Sequence, residues 1–182
     1  MRTAAASWLW SYMLALLWGM QPLQAAPAAS HDFDFVLGNW KARISHRQHS
    51  PGAADRWEVW NGSVMAARVW DGRANLQQIE VHAPAGTIEE LRLSLYRPLV
   101  HQWYLYWADS GDGVLDKPMI GRFKDGRGVF YNQDTYAGRT AFVRNVYFDV
   151  EADSYRFEQA LSIDGGRTWR TNFIAHVTRK KS

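Results

Sequence analysis

The sequence contains no cysteine. This absence excludes a disulfide framework and the lipid-bearing cysteine of bacterial lipoproteins, so an apolar core alone has to stabilise the fold. The chain also lacks a G-x-S-x-G motif and a phosphate-binding glycine loop. The local signatures of nucleophilic hydrolases and nucleotide-binding enzymes are therefore missing.

An excess of charge of one sign is also lacking. The chain has 21 Lys and Arg residues against 18 Asp and Glu residues, a net charge of +3, and both signs are interspersed. Only the tail, residues 180–182, is locally basic, which is typical of a solvated terminus. Because nucleic-acid binding needs clustered positive charge, no nucleic-acid partner is predicted.

Long hydrophobic runs are limited to the N-terminus, where Arg2 precedes the uncharged stretch "TAAASWLWSYMLALLWGM". A cation, an apolar run and a small-residue exit are typical of a secretory signal peptide, which we place at residues 1–25, ahead of a spacer at 26–32. A membrane anchor is the alternative, because the run approaches the length of a spanning helix. We expect a periplasmic or secreted protein with no membrane span after cleavage.

No sustained helical period occurs beyond that leader. Short runs rich in aromatic and β-branched residues are separated by turn signals about every ten residues, which is typical of antiparallel β-structure. We predict one domain at residues 33–179 with about ten strands, the first beginning near Trp40 and the last running from Thr168 to Thr178. A meander of this length avoids exposed edges by closing, so the predicted fold is all-β, an up-and-down barrel with room for a small ligand.

Four dipeptides and one proline predict where the strands end. Asn61-Gly62 has the composition of a type I′ hairpin turn, and Asp71-Gly72, Asp125-Gly126 and Ala137-Gly138 indicate later reversals. Pro98 ends a strand because it cannot donate to a sheet ladder.

Four segments carry a resemblance that spans nearly all of residues 33–179. They are "FDFVLGNWKAR", "LRLSLYRPLVHQWYLYWADS", "GRGVFYNQDTYAGR" and "RFEQALSIDGGRTWRTNFIAHVTR". The chain resembles the bacterial lipocalin-like domains of unknown function, which implies a calycin-type β-barrel. The resemblance implies no activity, because a fold hosts many functions.

The stretch "SIDGGRTW", from Ser162 to Trp169, matches the Asp-box of sialidase propellers. Propellers repeat this box in each blade, and the sequence has no second copy. We therefore interpret it as an Asp-box-like hairpin joining the last two strands, with Trp169 anchoring it in the core.

Aromatic residues are the first candidates for a ligand site. In "QWYLYW", alternation places Trp103 and Trp107 on one face and Tyr104 and Tyr106 on the other. The alternatives are a thick apolar core or an aromatic-lined ligand cavity.

Polar residues within apolar strands are the second candidates. If Phe142 and Val146 face inward, so does Arg144, and a buried cation needs a partner, for which Glu158 is the candidate. Arg144 would then hold an anionic or carbonyl group of a ligand. Asn172, in "WRTNFIA", and Asp134, at a strand end, complete this set.

Histidines give weak signals. His46 and His49 are three residues apart, so on a strand they point to opposite faces, and no third ligand accompanies them. We predict no metal site and no cofactor. The alternative is haem, for which His176 would be the axial ligand.

Three functions fit these patterns. The favoured one is a barrel whose partner is a small hydrophobic or amphipathic molecule, bound in an aromatic-lined lumen. The first alternative is a small barrel enzyme of the isomerase, hydratase or cyclase type, with Asp134 or Glu158 as catalytic acid and Arg144 as the cation. The second is a filled barrel that acts as a protein-interaction module.

Overall fold

The computed structural model describes residues 30–48, 54–136 and 138–181, and these form a closed barrel of ten strands. Every strand is antiparallel to its neighbours in sequence, and the first pairs with the last. This confirms the predicted all-β up-and-down barrel. The strands are β1 (Gly38–Gln48), β2 (Arg56–Val69), β3 (Ala74–Ala83), β4 (Gly86–Arg97), β5 (Gln102–Asp109), β6 (Met119–Lys124), β7 (Arg127–Tyr136), β8 (Arg139–Phe148), β9 (Ser154–Ser162) and β10 (Arg170–Arg179).

Most of the predicted turns lie where the sequence indicated. Asp125 and Gly126 have φ angles of 51° and 74° and form the two-residue link between β6 and β7. Both angles lie in the left-handed region that a two-residue hairpin turn of type I′ requires. Strand β4 ends at Arg97, directly before Pro98, and a 3₁₀ turn at Trp70–Gly72 follows β2. Ala137, in the remaining predicted turn, lies outside the described residues.

The predicted turn at Asn61-Gly62 is wrong, because both residues lie in the middle of β2. Gly62 pairs with Ala42 on one side and Val81 on the other. A Cβ atom at Gly62 would lie 2.5 Å from the carbonyl oxygen of Glu80. Glycine is needed here because two backbones approach closely, and not because the chain reverses.

The closed end of the barrel is filled by the segment that precedes β1. A 3₁₀ turn at Asp34–Val36 carries Phe33 and Val36 inward, where they are 2% and 0% exposed. The ring of Phe33 contacts those of Trp103, Phe123, Phe130 and Tyr147, with centroids 4.8–5.7 Å apart. Trp40 donates a 2.7 Å hydrogen bond from Nε1 to the carbonyl oxygen of Val36. We call this segment, residues 30–37, the plug of the barrel.

Candidate ligand-binding cavity

The open half of the barrel contains a cavity of about 530 Å³. It lies among the strand ends opposite the plug, and strands β1 to β10 all contribute to its wall. Aromatic and aliphatic side chains line much of it: Trp60, Val81, Ile88, Trp107, Met119, Val143, Phe157, Leu161 and Phe173. The barrel interior is thus divided into a packed half and a hollow half.

Amide side chains form one wall of the cavity. Asn132, Asn145, Gln159 and Asn172 lie on the consecutive strands β7, β8, β9 and β10. Asn172 donates a 3.1 Å hydrogen bond to Gln159, and the Oδ1 atoms of the three asparagines are buried without a partner. Buried amide groups are normally satisfied. This wall therefore offers unused hydrogen-bonding capacity to an occupant of the cavity.

A register shift positions Asn172 in that wall. The pairing of β10 with β9 slips between Thr171 and Phe173, leaving Asn172 as the extra residue. Such a bulge breaks the strict alternation of faces. Asn172 and its neighbour Phe173 both line the cavity as a result.

Four carboxyl groups also border the cavity, those of Glu90, Asp109, Asp116 and Asp134. Burial raises the pKa of Glu90 above its ordinary value, with Asp109 and Asp116 adding to the rise and Arg92 opposing it. The pKa of Asp116 is also raised, by burial first and then by the charges of Asp134, Asp112 and Asp109. Mutual repulsion and burial both favour the neutral forms of these two groups.

Glu90 and Arg92 belong to the middle of β4, where polar residues face inward and leucines face outward. The inward face of β4 carries Glu90, Arg92 and Ser94, while Leu91 on its outward face is 46% exposed. Arg92 itself is 4% exposed and donates from Nη1 to the hydroxyl oxygen of Tyr147. Neither residue is identifiable from the sequence, because the alternating leucines of this strand predict that the opposite face is buried.

His46, which the sequence pattern argued against as a metal ligand, also lies at the cavity. Its ring stacks on Trp60 with centroids 4.2 Å apart, and both rings line the cavity. Burial lowers the pKa of His46, partly offset by Glu58. His49 lies outside the described residues. No group of three metal-binding side chains occurs among the residues that the structure describes.

Three of the residues singled out in the sequence line the cavity: Trp107, Asn172 and Asp134. Trp103 also faces inward, but it lies in the packed half against Phe33 and donates from Nε1 to Asp32 over 3.1 Å. Tyr104 and Tyr106 alternate with these tryptophans and face outward. The hydroxyl oxygen of Tyr104 accepts a 3.1 Å hydrogen bond from Arg97.

The inward placement of Arg144 is wrong. In β8 the inward residues are Val143 and Asn145, which line the cavity, so Arg144 between them faces outward. The predicted partner is present, because Nη2 of Arg144 lies 3.5 Å from Oε1 of Glu158. This ion pair is on the outer surface of the barrel and does not reach the cavity. Asp134, Arg144 and Glu158 therefore do not converge in the lumen as the enzyme alternative requires.

His176 also faces outward. It is exposed and pairs across the sheet with Arg43 and Arg156, which are exposed as well. An axial haem ligand inside the barrel cannot come from this position. The only inward histidine in the described part of β1 to β10 that borders the cavity is His46.

The stretch from Ser162 to Trp169 links β9 and β10. The carboxylate of Asp164 accepts hydrogen bonds from the backbone and hydroxyl of Thr168, at 2.9 and 2.6 Å, and from the hydroxyl of Ser162 at 2.7 Å. These bonds hold the pKa of Asp164 well below its usual range. Trp169 does not enter the core. It lies on the outer surface, 4.6 Å from the guanidinium of Arg144.

Comparisons with known proteins support the fold. No protein-family model matches the sequence, and no curated protein matches it. The S-type phycobiliprotein lyase from Guillardia theta has a similar structure, with a TM-score of 0.52 and 16% sequence identity over 82% of this chain and 91% of that chain. At that identity the similarity shows a shared lipocalin-like barrel and no more.

The residues before position 30 lie outside the described part of the chain. The predicted signal peptide and most of the spacer fall in that segment. Among the described residues, no helix is long and apolar enough to cross a membrane.

Proposed function

We propose that the barrel binds one small amphipathic molecule in the cavity at its open end. The observation that carries this proposal is a cavity of about 530 Å³ lined both by aromatic rings and by buried asparagine side chains whose Oδ1 atoms have no partner. Ligand sites in proteins commonly have such volumes, mostly apolar walls and a few placed polar groups. A barrel acting only through its outer surface would not need this hollow half.

The chemistry of the walls suggests how the molecule lies. Its apolar part packs against Trp60, Trp107 and Phe173, which provide flat rings within the cavity. Its polar part faces the amides of Asn145 and Asn172, whose Oδ1 atoms are unpaired. Leaving such groups unpaired is costly, so a polar occupant is favoured over a purely apolar one. The shared fold with a protein named phycobiliprotein lyase supports the shape of the barrel, and the ligand class rests on these side chains.

The function is tested by replacing one aromatic wall residue and its outward neighbour. The probe is 2-naphthylacetamide, a neutral bicyclic amide, titrated calorimetrically. Trp107→Ala should weaken its binding about 10-fold or more, because burial of an aromatic side chain is worth about 1.5–3 kcal/mol. Tyr106→Ala is the matched control and should bind the probe as the wild type does. The absence of saturable binding to the wild type, or equal effects of the two variants, would contradict the cavity as the site.

We also propose that the protein binds its ligand in the periplasm or outside the cell. The support is the leader-like composition of residues 1–25, in which the small residue Ala25 fits the end of a predicted processing site. Native mass spectrometry of the protein from its own host tests both proposals together. A mass that corresponds to a chain beginning at Ala26 shows export and cleavage. A reproducible additional mass identifies the ligand. A chain that retains Met1 would contradict export by this signal.

A further inference from the structure

The guanidinium of Arg92 lies inside the barrel and attracts Glu90 on the same strand, but no carboxylate of the described residues is within ion-pair distance of it. Arg92 is 4% exposed, and its Nη1 atom donates to the hydroxyl of Tyr147. Its Nε and Nη2 atoms are buried with no hydrogen-bond partner. No ion pair in the described part of the chain includes it.

Such a cation is expensive to bury. A charged group removed from water needs an opposite charge and satisfied donors to offset its desolvation. The rings of Phe33, Trp107 and Tyr147 lie 5.9, 5.6 and 5.1 Å from the guanidinium carbon. Aromatic faces attract a cation, but they accept no conventional hydrogen bond from the unpaired Nε and Nη2 atoms. The site therefore lacks an anionic acceptor.

Arg92 does not itself line the cavity but adjoins it through its neighbours. Its cross-strand neighbour Trp107 and its strand neighbour Glu90 both line the cavity wall. On the opposite side, Asn145 lines the cavity two residues before Tyr147, the hydrogen-bond partner of Arg92. Asn145 is 1% exposed, and its Oδ1 atom has no partner. A half-turn of that amide presents its NH2 group to the same region.

We propose that the molecule bound in the cavity carries a carboxylate or similar anion, and that Arg92 and Asn145 receive this group at the cavity floor. The inference rests on the proposed binding function and narrows the ligand to amphipathic anions. A planar guanidinium whose Nε and Nη2 atoms are both free to donate matches a carboxylate in geometry as well as in charge.

The carboxyl groups at the cavity mouth fix the orientation of such a ligand. Asp109, Asp116 and Asp134 border the cavity on the side of the open end. They repel an anion that stays at the mouth, while Arg92 attracts one at the floor. The anionic end of the ligand therefore points inward, and its apolar body lies against Trp60 and Trp107.

The test compares two probes of nearly equal shape, 2-naphthylacetate and the neutral 2-naphthylacetamide, by calorimetry at low salt. Wild-type protein should bind the acid about tenfold or more tightly than the amide, because a charge-assisted bidentate contact is available only to the acid. Arg92→Met should lose this preference, so that the acid and the amide bind with similar affinity. Arg144→Met removes a cation from the outer surface and should keep the preference, which controls for net charge.

The outcomes distinguish failure of the anion site from failure of the binding function. Equal binding of acid and amide by the wild type, or a preference that survives in Arg92→Met, overturns the anion site and leaves the binding function standing. Failure of both probes to bind contradicts the binding function and the anion site together. Near-UV circular dichroism checks that each variant is folded, and Arg92→Gln replaces Arg92→Met if the latter does not fold.

Discussion

At the level of single residues, the carboxyl group of Glu90 lies in surroundings that disfavour its charged form. Burial is the main cause, and the nearby carboxylates Asp109 and Asp116 add to it. The attraction of Arg92 opposes these effects without cancelling them, since the pKa of Glu90 is raised overall. Glu90 therefore costs the fold stability when it ionises.

This cost gives a stability prediction with a defined sign. Between its ordinary pKa of 4.5 and its raised folded-state pKa, Glu90 binds more protons in the folded protein than in the unfolded chain. The contribution of protonated Glu90 to the stability of the fold is fully present below pH 4.5. It is lost as the pH rises through the raised pKa of the folded state. The free energy of unfolding of Glu90→Gln, relative to the wild type, should therefore increase with pH from about 4.5 upward.

Urea unfolding at several pH values measures this difference. Glu89→Gln, on the outward face of the same strand, controls for the loss of one negative charge. A difference between Glu90→Gln and the wild type that stays constant with pH would show that the Glu90 environment does not disfavour ionisation.

At the level of elements, β2 shows how a local signal is overridden by pairing. Asn61-Gly62 favours a turn when its neighbours in sequence are considered alone. In the barrel, β2 is a single strand from Arg56 to Val69 that pairs with β1 and β3 along its length. The extended ladder outweighs the local preference of two residues, and the glycine instead allows β3 to approach.

Two substitutions in β2 distinguish a strand from a turn. Gly62→Ala should lower the free energy of unfolding by about 1–3 kcal/mol, because its Cβ would lie 2.5 Å from the Glu80 carbonyl oxygen. Asn61→Thr is the matched control. A β-branched residue would be strained in a type I′ turn but suits an exposed strand position, so this variant should be as stable as the wild type or slightly more stable.

Urea unfolding of both variants provides the measurement. Strong destabilisation by Asn61→Thr together with a neutral Gly62→Ala would reverse the assignment and restore the turn.

The element scale also shows which strand faces could be assigned from sequence. In β5, alternation correctly placed Trp103 and Trp107 on one face, and the structure shows that this face points inward. In β8, Phe142, Val146 and Phe148 form an apolar set as convincing as Val143 and Tyr147, yet they face outward. On that outer face Trp169, from the link between β9 and β10, contacts Arg144 and Tyr131, which no local pattern reveals.

At the level of the whole molecule, the barrel is closed at one end and hollow at the other. The plug supplies Phe33 and Val36 to the closed end, and Arg68 holds the plug from outside through a 3.0 Å contact with Asp34. The packed half gives the barrel a core, so the open half can remain a cavity. The packed core and the cavity are thus separated along the barrel axis.

This division predicts that the plug is essential for stability. Phe33→Ala should lower the free energy of unfolding by about 3–5 kcal/mol, since it leaves a cavity among four aromatic rings. Leu99→Ala is the control, because Leu99 is 94% exposed. Denaturant titration compares the two. Equal, small effects would show that the segment before β1 does not fill the closed end.

The sequence by itself determined the strand-rich composition, most of the turns and the closure of the barrel. These features follow from local chemistry: positive-φ dipeptides such as Asp125-Gly126, the missing N–H of Pro98, and a meander too long to leave its edges open. The location of the hollow half, the inward Arg92 and the outward Arg144 were decided only by the tertiary structure. Both faces of β4 and β8 are mixed in character, so the choice between them depends on strand register and barrel closure.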